Sequence, residues 1–287
     1  DGILDSVASR GLGDVYKRQA LDWAIELSRN SKVILVHRRD EFRAVQSSVE
    51  KVKELNNQKK LEIFTQYQLL EVKGNSSING IEIKRILVPP FPENVYILSS
   101  DTTDECIVVD PGAEADRIAF EVNNLGKKIR YILNTHGHGD HTAAVAKLVD
   151  ITKAEFALHE ADLGILNNGS EWLEQVIPNY LPAPDPNFYL IQDQLIRLGK
   201  LTIKIIHTPG HTPGGVCFLV EDVIFSGDTL FNESIGRYDL PGGDGVQLLE
   251  SIRTKLMVLP ENMIVLPGHG GETTISHEKQ YNPFLQN

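Results

Sequence analysis

Thr135-His136-Gly137-His138-Gly139-Asp140-His141 packs three imidazoles and one carboxylate into a few residues, directly after the apolar run Ile129 to Asn134. Packing alone does not account for such a cluster. A buried imidazole needs hydrogen-bond partners, and several rings beside a carboxylate repel or titrate unless something holds the nitrogens neutral. A divalent cation does this by accepting neutral imidazole nitrogens and carboxylate oxygens, at about 2.0–2.2 Å in the case of zinc. The alternating His136 and His138 can reach one ion, and Asp140 with His141 another. Gly137 and Gly139 are expected to let the loop bend tightly between them.

Three further motifs each place one ligand-type residue where an apolar run gives way to glycine. They are Gly210-His211-Thr212-Pro213-Gly214-Gly215, Phe225-Ser226-Gly227-Asp228-Thr229 and Leu266-Pro267-Gly268-His269-Gly270. Strand ends along one sheet edge would bring these residues to a single site. Of the nine histidines, His207 is read as orienting or packing beside that site, His159 and His277 as local hydrogen-bonding groups, and His37 as part of an N-terminal fragment. Cys106 and Cys217 are flanked by aliphatic or aromatic residues and read as buried strand thiols rather than as a disulfide or a nucleophile.

The elements that must position these residues alternate along the chain. Strands are expected at Val95 to Leu98, Cys106 to Val109, Ile129 to Asn134, Glu155 to Leu158, Leu201 to Ile206, Val216 to Val220, Val223 to Phe225 and Met263 to Leu266. Helices are expected at Ala115 to Leu125, Thr142 to Val149, Ser170 to Val176 and Val246 to Leu256. Strands with helices behind them suit a layered α/β arrangement. With 287 residues, 41% hydrophobic and 23% charged, the chain can build one large or two smaller cores. No apolar run reaches membrane-spanning length and no basic-then-apolar leader opens the sequence, so a cytoplasmic location is expected.

Charge divides the chain. Up to Arg85 there are 15 basic and 12 acidic residues; beyond it, 13 and 27. The acidic part would repel a polyphosphate backbone, so neither nucleic acid nor membrane is an expected partner. Residues 1–19 are read as unstructured and resemble translated sequencing-adapter sequence. From Ala20 a helix pattern, the strand Lys32 to Val36, a helix from about Glu41 to Asn56 and short strands near Leu61 and Ile81 form a β/α fragment. The motifs ALDWAIELS and VHRRDEFRA make residues 20–85 resemble the NADPH-binding half of thioredoxin reductase or ferredoxin-NADP reductase. That resemblance implies an incomplete Rossmann-like fragment in which Arg38, Arg39 and Arg43 meet the NADPH 2′-phosphate. No glycine-rich pyrophosphate loop precedes Ala20, so these arginines are read as a solvated basic edge. An NADPH-binding redox protein is the alternative from another class, and an accidental join of two sequences near residue 80 is a further one.

The order HxHxDH, histidine, aspartate, histidine makes residues 86–287 resemble the metallo-β-lactamase superfamily. The resemblance implies a four-layer αβ/βα sandwich with two metals at the sheet edge. It assigns His136, His138 and His211 to one metal, Asp140, His141 and His269 to the second, and Asp228 to a bridge between them. Asp140 and Asp228 would orient a shared water whose pKa the cations lower. Zinc suits these ligands, as do iron and manganese. THGHGDHTAA, HTPGHTPGGVCF, VIFSGDTLFNESIGRYDLPGGD, LPGHGGETT and the closing NPFL resemble short bacterial glyoxalase II enzymes, the hydroxyacylglutathione hydrolases. This implies hydrolysis of a small-molecule thioester, with S-lactoylglutathione as the reference substrate. Only 18 residues follow His269, so the glutathione contacts of the long enzymes cannot be carried over; Arg237 and Tyr238 are candidates for substrate contact. Of the other superfamily activities, the common zinc β-lactamases have cysteine where this chain has Asp228, a mononuclear iron persulfide dioxygenase uses fewer of these ligands, and a tRNA-processing nuclease needs a basic exosite. A lactonase shares the ligand set.

Overall fold

The computed structural model describes residues 33–37, 46–65, 81–168 and 180–286, together with Leu21, Ala24, Ile25, Ser28, Glu174 and Ile177. The chain divides into two units, Asp1–Val72 and Lys73–Asn287. In the first, β1 (Val33–His37) pairs in parallel with β2 (Leu61–Thr65), Val33 lying opposite Leu61. The connection carries helix α1 (Gln46–Asn57). Val49, Val52 and Leu55 recur at helical spacing and pack with Leu21, Ala24 and Leu61. A parallel strand pair is common to every doubly wound fold and does not by itself identify a nucleotide site. Arg38, Arg39, Arg43 and residues 1–19 lie outside the described residues, as does most of the helix expected at 170–176.

The second unit begins with β3 (Ile81–Val88), which pairs along its whole length with β4 (Glu93–Ser100), Ile81 opposite Ser100 and Val88 opposite Glu93. The boundary expected after Arg85 therefore falls inside a paired strand. The short strand expected near Ile81 continues to Val88, past the polar pair Lys84-Arg85 that interrupts the apolar pattern. β5 (Glu105–Val109), β6 (Lys128–Leu133), β7 (Glu155–Leu158) and β8 (Phe188–Tyr189) complete a sheet of order β3-β4-β5-β6-β7-β8. The second sheet joins β9 (Leu195–Leu198), β10 (Leu201–His207), β11 (Val216–Val220), β12 (Val223–Gly227), β15 (Ile264–Pro267) and β16 (Thr273–Thr274) in the order β16-β15-β12-β11-β10-β9. The hairpin β13 (Leu230–Phe231) and β14 (Ser234–Ile235) stands apart from both sheets.

Both sheets are covered on both faces, and the side chains sort accordingly. On β4 and β5, Val95, Ile97, Cys106 and Val108 pack under helices α2 (Ala115–Asn124), α4 (Val145–Thr152) and α5 (Leu163–Asn168), whereas Tyr96, Leu98, Ile107 and Val109 face the other sheet. On β11 and β12, Val216, Phe218, Val220 and Phe225 fill the space between sheets. Cys217 and Ile224 turn outward onto α6 (Gly245–Ser251), its π-helical continuation Ile252–Leu256, and α7 (Ile275–Tyr281). Period-2 alternation between two apolar environments produces these near-continuous hydrophobic runs. The three seams define four layers, helices, sheet, sheet, helices. Burial pushes the Cys106 thiol up to about 12 and the Cys217 thiol up to about 11, which removes both as nucleophiles. Among the described residues no helix is long and apolar enough to cross a membrane.

Phe225 sits between the sheets, its ring edge-on to Tyr96 with centroids 5.2 Å apart. Phe225→Ala is expected to destabilise the second unit by about 3–5 kcal/mol, read as a lowered urea midpoint with an unchanged slope.

Candidate metal centre

Each sequence motif lies where a strand ends. After β6, Asn134 to His138 run outward and the single helical turn α3 (Gly139–Thr142) presents Asp140 and His141. His211 follows β10, Asp228 follows β12 and His269 follows β15. The helix expected from Thr142 to Val149 is thus two pieces, α3 and α4, and Asp140 and His141 ride on the first. Gly137 and Gly139 do not take left-handed backbone angles. Gly139 opens the α3 turn, and Gly137 is required for a close approach taken up below.

The structure brings all seven expected residues together. His211 Nε2 lies 2.9 Å from His138 Nδ1 and 3.2 Å from His136 Nε2. His141 Nε2 lies 3.2 Å from His269 Nε2, and His269 Nε2 lies 3.4 Å from Asp140 Oδ2. Asp228 spans the two groups: Oδ1 is 3.4 Å from His141 Nε2, and Oδ2 is 3.7 Å from both His211 Nε2 and His269 Nε2. Asp228 Oδ1 is buried without a hydrogen-bond partner.

Hydrogen bonds at the far side of several rings fix which nitrogen is bare. His211 Nδ1 donates to the Arg237 carbonyl at 2.7 Å, and His269 Nδ1 to the Pro92 carbonyl at 2.8 Å. Thr135 Oγ1 spends its proton on Asp110 Oδ2 at 2.7 Å, so it accepts from His136 Nδ1 at 3.0 Å. In all three rings the Nε2 lone pair then points into the cluster, where only a cation or a proton can meet it. Ligands about 2.05 Å from one tetrahedral ion sit about 3.3 Å apart. The separations of His211 from His138 and His136, 2.9 and 3.2 Å, lie just below that value and those among Asp140, His141 and His269, 3.2–3.9 Å, lie around and above it, so each trio could hold an ion.

Electrostatics agree. Burial, with neighbouring rings, pushes His136 well below the ordinary histidine value, and burial with His211 brings His138 down to about 4. Burial also disfavours charge on His141 and His269, yet the carboxylates Asp228 and Asp140 carry His141 well above its usual value and raise His269 as well. Burial likewise opposes ionisation of Asp140 and Asp228, but His141 and the rings around it hold both carboxyls below the usual range. Two neutral rings beside two carboxylates held ionised, which draw His141 and His269 toward their protonated forms, describe a pocket whose anionic groups attract positive charge, and metal binding would supply it in place of protons.

Two acidic residues of the centre have no role in the sequence-based ligand set. Asp110, read there only as part of a turn, accepts from the Thr135 amide at 2.7 Å and places Oδ2 3.2 Å from His141 Nδ1. It backs two rings at once, an arrangement that orients metal-binding imidazoles. Its signal was the one that revealed Asp228, an ionisable residue ending an apolar strand. Glu93, fully buried at the start of β4, sits 3.9 Å from the same nitrogen, and burial raises its carboxyl well above the usual range; a lone glutamate before Asn-Val-Tyr carries no motif. His207 stacks on His159 with centroids 4.2 Å apart, and His277 bonds Glu233; none of these three touches the cluster. Arg237 is exposed and paired with Asp239, while its carbonyl holds His211; Tyr238 is exposed.

The sequence profile of the metallo-beta-lactamase superfamily matches residues 88–269. A Haemophilus influenzae protein named hydroxyacylglutathione hydrolase GloC is 35% identical over 209 residues, 71% of this chain and 98% of that one. Among solved structures, the BLEG-1 B3 metallo-beta-lactamase is 35% identical with a TM-score of 0.66, covering 72% of this chain and 100% of that one. TTHA1623, solved in a di-iron-bound form, is 35% identical with a TM-score of 0.63, covering 70% of this chain and 99% of that one. Strand-end ligands, four layers and a profile spanning both halves of the centre agree: through its second unit the chain belongs to the metallo-beta-lactamase superfamily.

Proposed function

We propose that the second unit is a dinuclear metallohydrolase that cleaves thioesters, glyoxalase II-like, with S-lactoylglutathione as the reference substrate. The observation carrying this reading is that Asp228 reaches both trios at once. His136, His138 and His211 would hold one divalent ion, Asp140, His141 and His269 the other, and Asp228 would lie between them. Ions bound there supply Lewis acidity, lowering the pKa of water toward neutrality and polarising a carbonyl. Zinc, iron and manganese all suit this donor set, and the di-iron form of TTHA1623 makes iron a serious candidate.

The chain's own residues provide direction. His136, His141 and His211 are sealed from solvent, whereas His269 and Asp140 retain about a quarter of their side-chain surface. Substrate therefore approaches from the Asp140–His269 side. Asp140 and Asp228, held ionised, can accept hydrogen bonds from the attacking water and set its lone pair toward the acyl carbon. The carbon–oxygen bond forms, the carbon–sulfur bond breaks and the sulfur leaves as thiolate, while the protons of the water pass to solvent on the open Asp140 side as the acid product ionises. A thiol has a pKa of about 8.5, so departure needs no positioned acid. Likeness to the H. influenzae hydrolase supports the thioester class. The likeness to a B3 metallo-beta-lactamase favours β-lactam hydrolysis as a second reading.

A thiol-release assay on S-lactoylglutathione, run beside a β-lactam and a lactone, is expected to give turnover on the thioester; turnover confined to the β-lactam would reverse the order of the two readings. Elemental analysis is expected to find two ions per chain; one would point to mononuclear chemistry, and none would overturn the metal-dependent reading. Asp228→Ala is expected to lower kcat/KM by more than about 100-fold and to weaken metal retention. Chelation is expected to lower the Tm of the second unit, since an ion present at 100 times its Kd stabilises the native state by about 2.7 kcal/mol.

A further inference from the structure

The three rings of the His136–His138–His211 trio come from loops rooted in different sheets, one following β6 and the other β10. A carboxylate in neither motif ties those loops together. Asp162, fully buried, ends a short 3-10 turn, Glu160–Asp162, after β7. Its Oδ2 accepts the Gly137 amide at 2.9 Å, between the two ring-bearing residues His136 and His138. The same oxygen accepts the Thr212 hydroxyl at 2.8 Å, next to His211, and Oδ1 accepts the Gly214 amide at 2.6 Å. A Cβ on Gly137 would lie 2.9 Å from the Asp162 carbonyl oxygen, and one on Gly214 would lie 2.7 Å from the Asp162 carboxyl carbon. Both glycines leave room for this carboxylate.

The other trio is anchored elsewhere. Asn134 Nδ2 holds the His141 carbonyl at 2.7 Å, Asp110 faces the His141 ring, and His269 is fixed by Pro92 and by a β-bridge to Glu93. None of these contacts involves Asp162.

We propose that Asp162 is a positioning residue for one ion alone: it clamps the two loops so that His136, His138 and His211 share a single coordination point, and it leaves the Asp140–His141–His269 point unaffected. Three charge-assisted bonds to one buried carboxylate fix both loops to one reference atom group, and buried partners behind metal ligands govern affinity as well as orientation. The inference rests on the dinuclear ligand set proposed above.

The test uses Co2+ as the probe on metal-free full-length chain. His269→Ala leaves the three-histidine point intact, and His211→Ala leaves the other. Adding Asp162→Asn is expected to weaken Co2+ binding about 10- to 100-fold in the His269→Ala background and by less than about twofold in the His211→Ala background. In metal-free protein the Gly137 and Gly214 amides are expected to exchange hydrogen faster in Asp162→Asn than in wild type. Equal losses in both backgrounds, or no loss in the first, overturn the proposal. Should Asp162→Asn fail to fold, Thr212→Val removes one donor, keeps the carboxylate, and is expected to show the same selectivity with a smaller loss; an unselective loss there overturns the proposal too. A wild-type chain that binds fewer than two Co2+ ions overturns the dinuclear reading beneath it, an outcome distinct from two ions with unselective losses.

Discussion

Bare imidazole nitrogens forced face to face are the feature on which the rest of the second unit depends. The 3.2 Å separation of His211 Nε2 from His136 Nε2, with both protons fixed on the far side at Nδ1, juxtaposes two lone pairs that have no attraction for one another. In a buried setting that repulsion is poorly screened. It becomes favourable only around positive charge, so the fold must hold the rings in place against their own electrostatics until a cation arrives. The sandwich meets this demand by anchoring every loop to a strand packed on both faces. A displacement of the centre would have to disturb the apolar seam between the sheets.

The polar groups behind the rings complete the restraint. Asp110 orders Thr135, and through it His136, while also backing His141; carbonyls of Pro92 and Arg237 hold His269 and His211. Burying such groups is costly unless they are paired, and here the pairing sets the tautomer each ring presents. Asp110 adopts a left-handed backbone, φ 49°, uncommon for a residue other than glycine. That strain is sustained where the carboxylate serves three partners at once.

The reactive groups were legible because they recur as one physical pattern, an apolar strand followed by a ligand-type residue and glycine. Local pattern therefore sufficed to group His136 through His141, and the order of the four motifs supplied the rest. What failed to show had no local pattern. Glu93 matters because β4 runs antiparallel to β5 and brings its first residue to the same sheet edge, a fact of topology rather than of neighbouring residues. The division of the helix expected at Thr142 to Val149 escaped notice because α3 and α4 are separated by the small residues Ala143 and Ala144, which are as compatible with a helix interior as with a break. Among the outer strands, β9 alternates buried and exposed positions over only four residues, too short a run for periodicity to distinguish it from a loop.

The two units carry separate apolar clusters. The similar proteins align along nearly their full length with about 70% of this chain, and β3 pairs along its entire length inside the second unit. Among the described residues, the seven candidate ligands and the groups that back them lie between Pro92 and His269. The centre's candidate ligands and the groups that back them therefore come from one set of packed layers. Among the described residues of the first unit, the parallel pair β1–β2 with α1 has its own small apolar cluster, which includes Leu21 and Ala24.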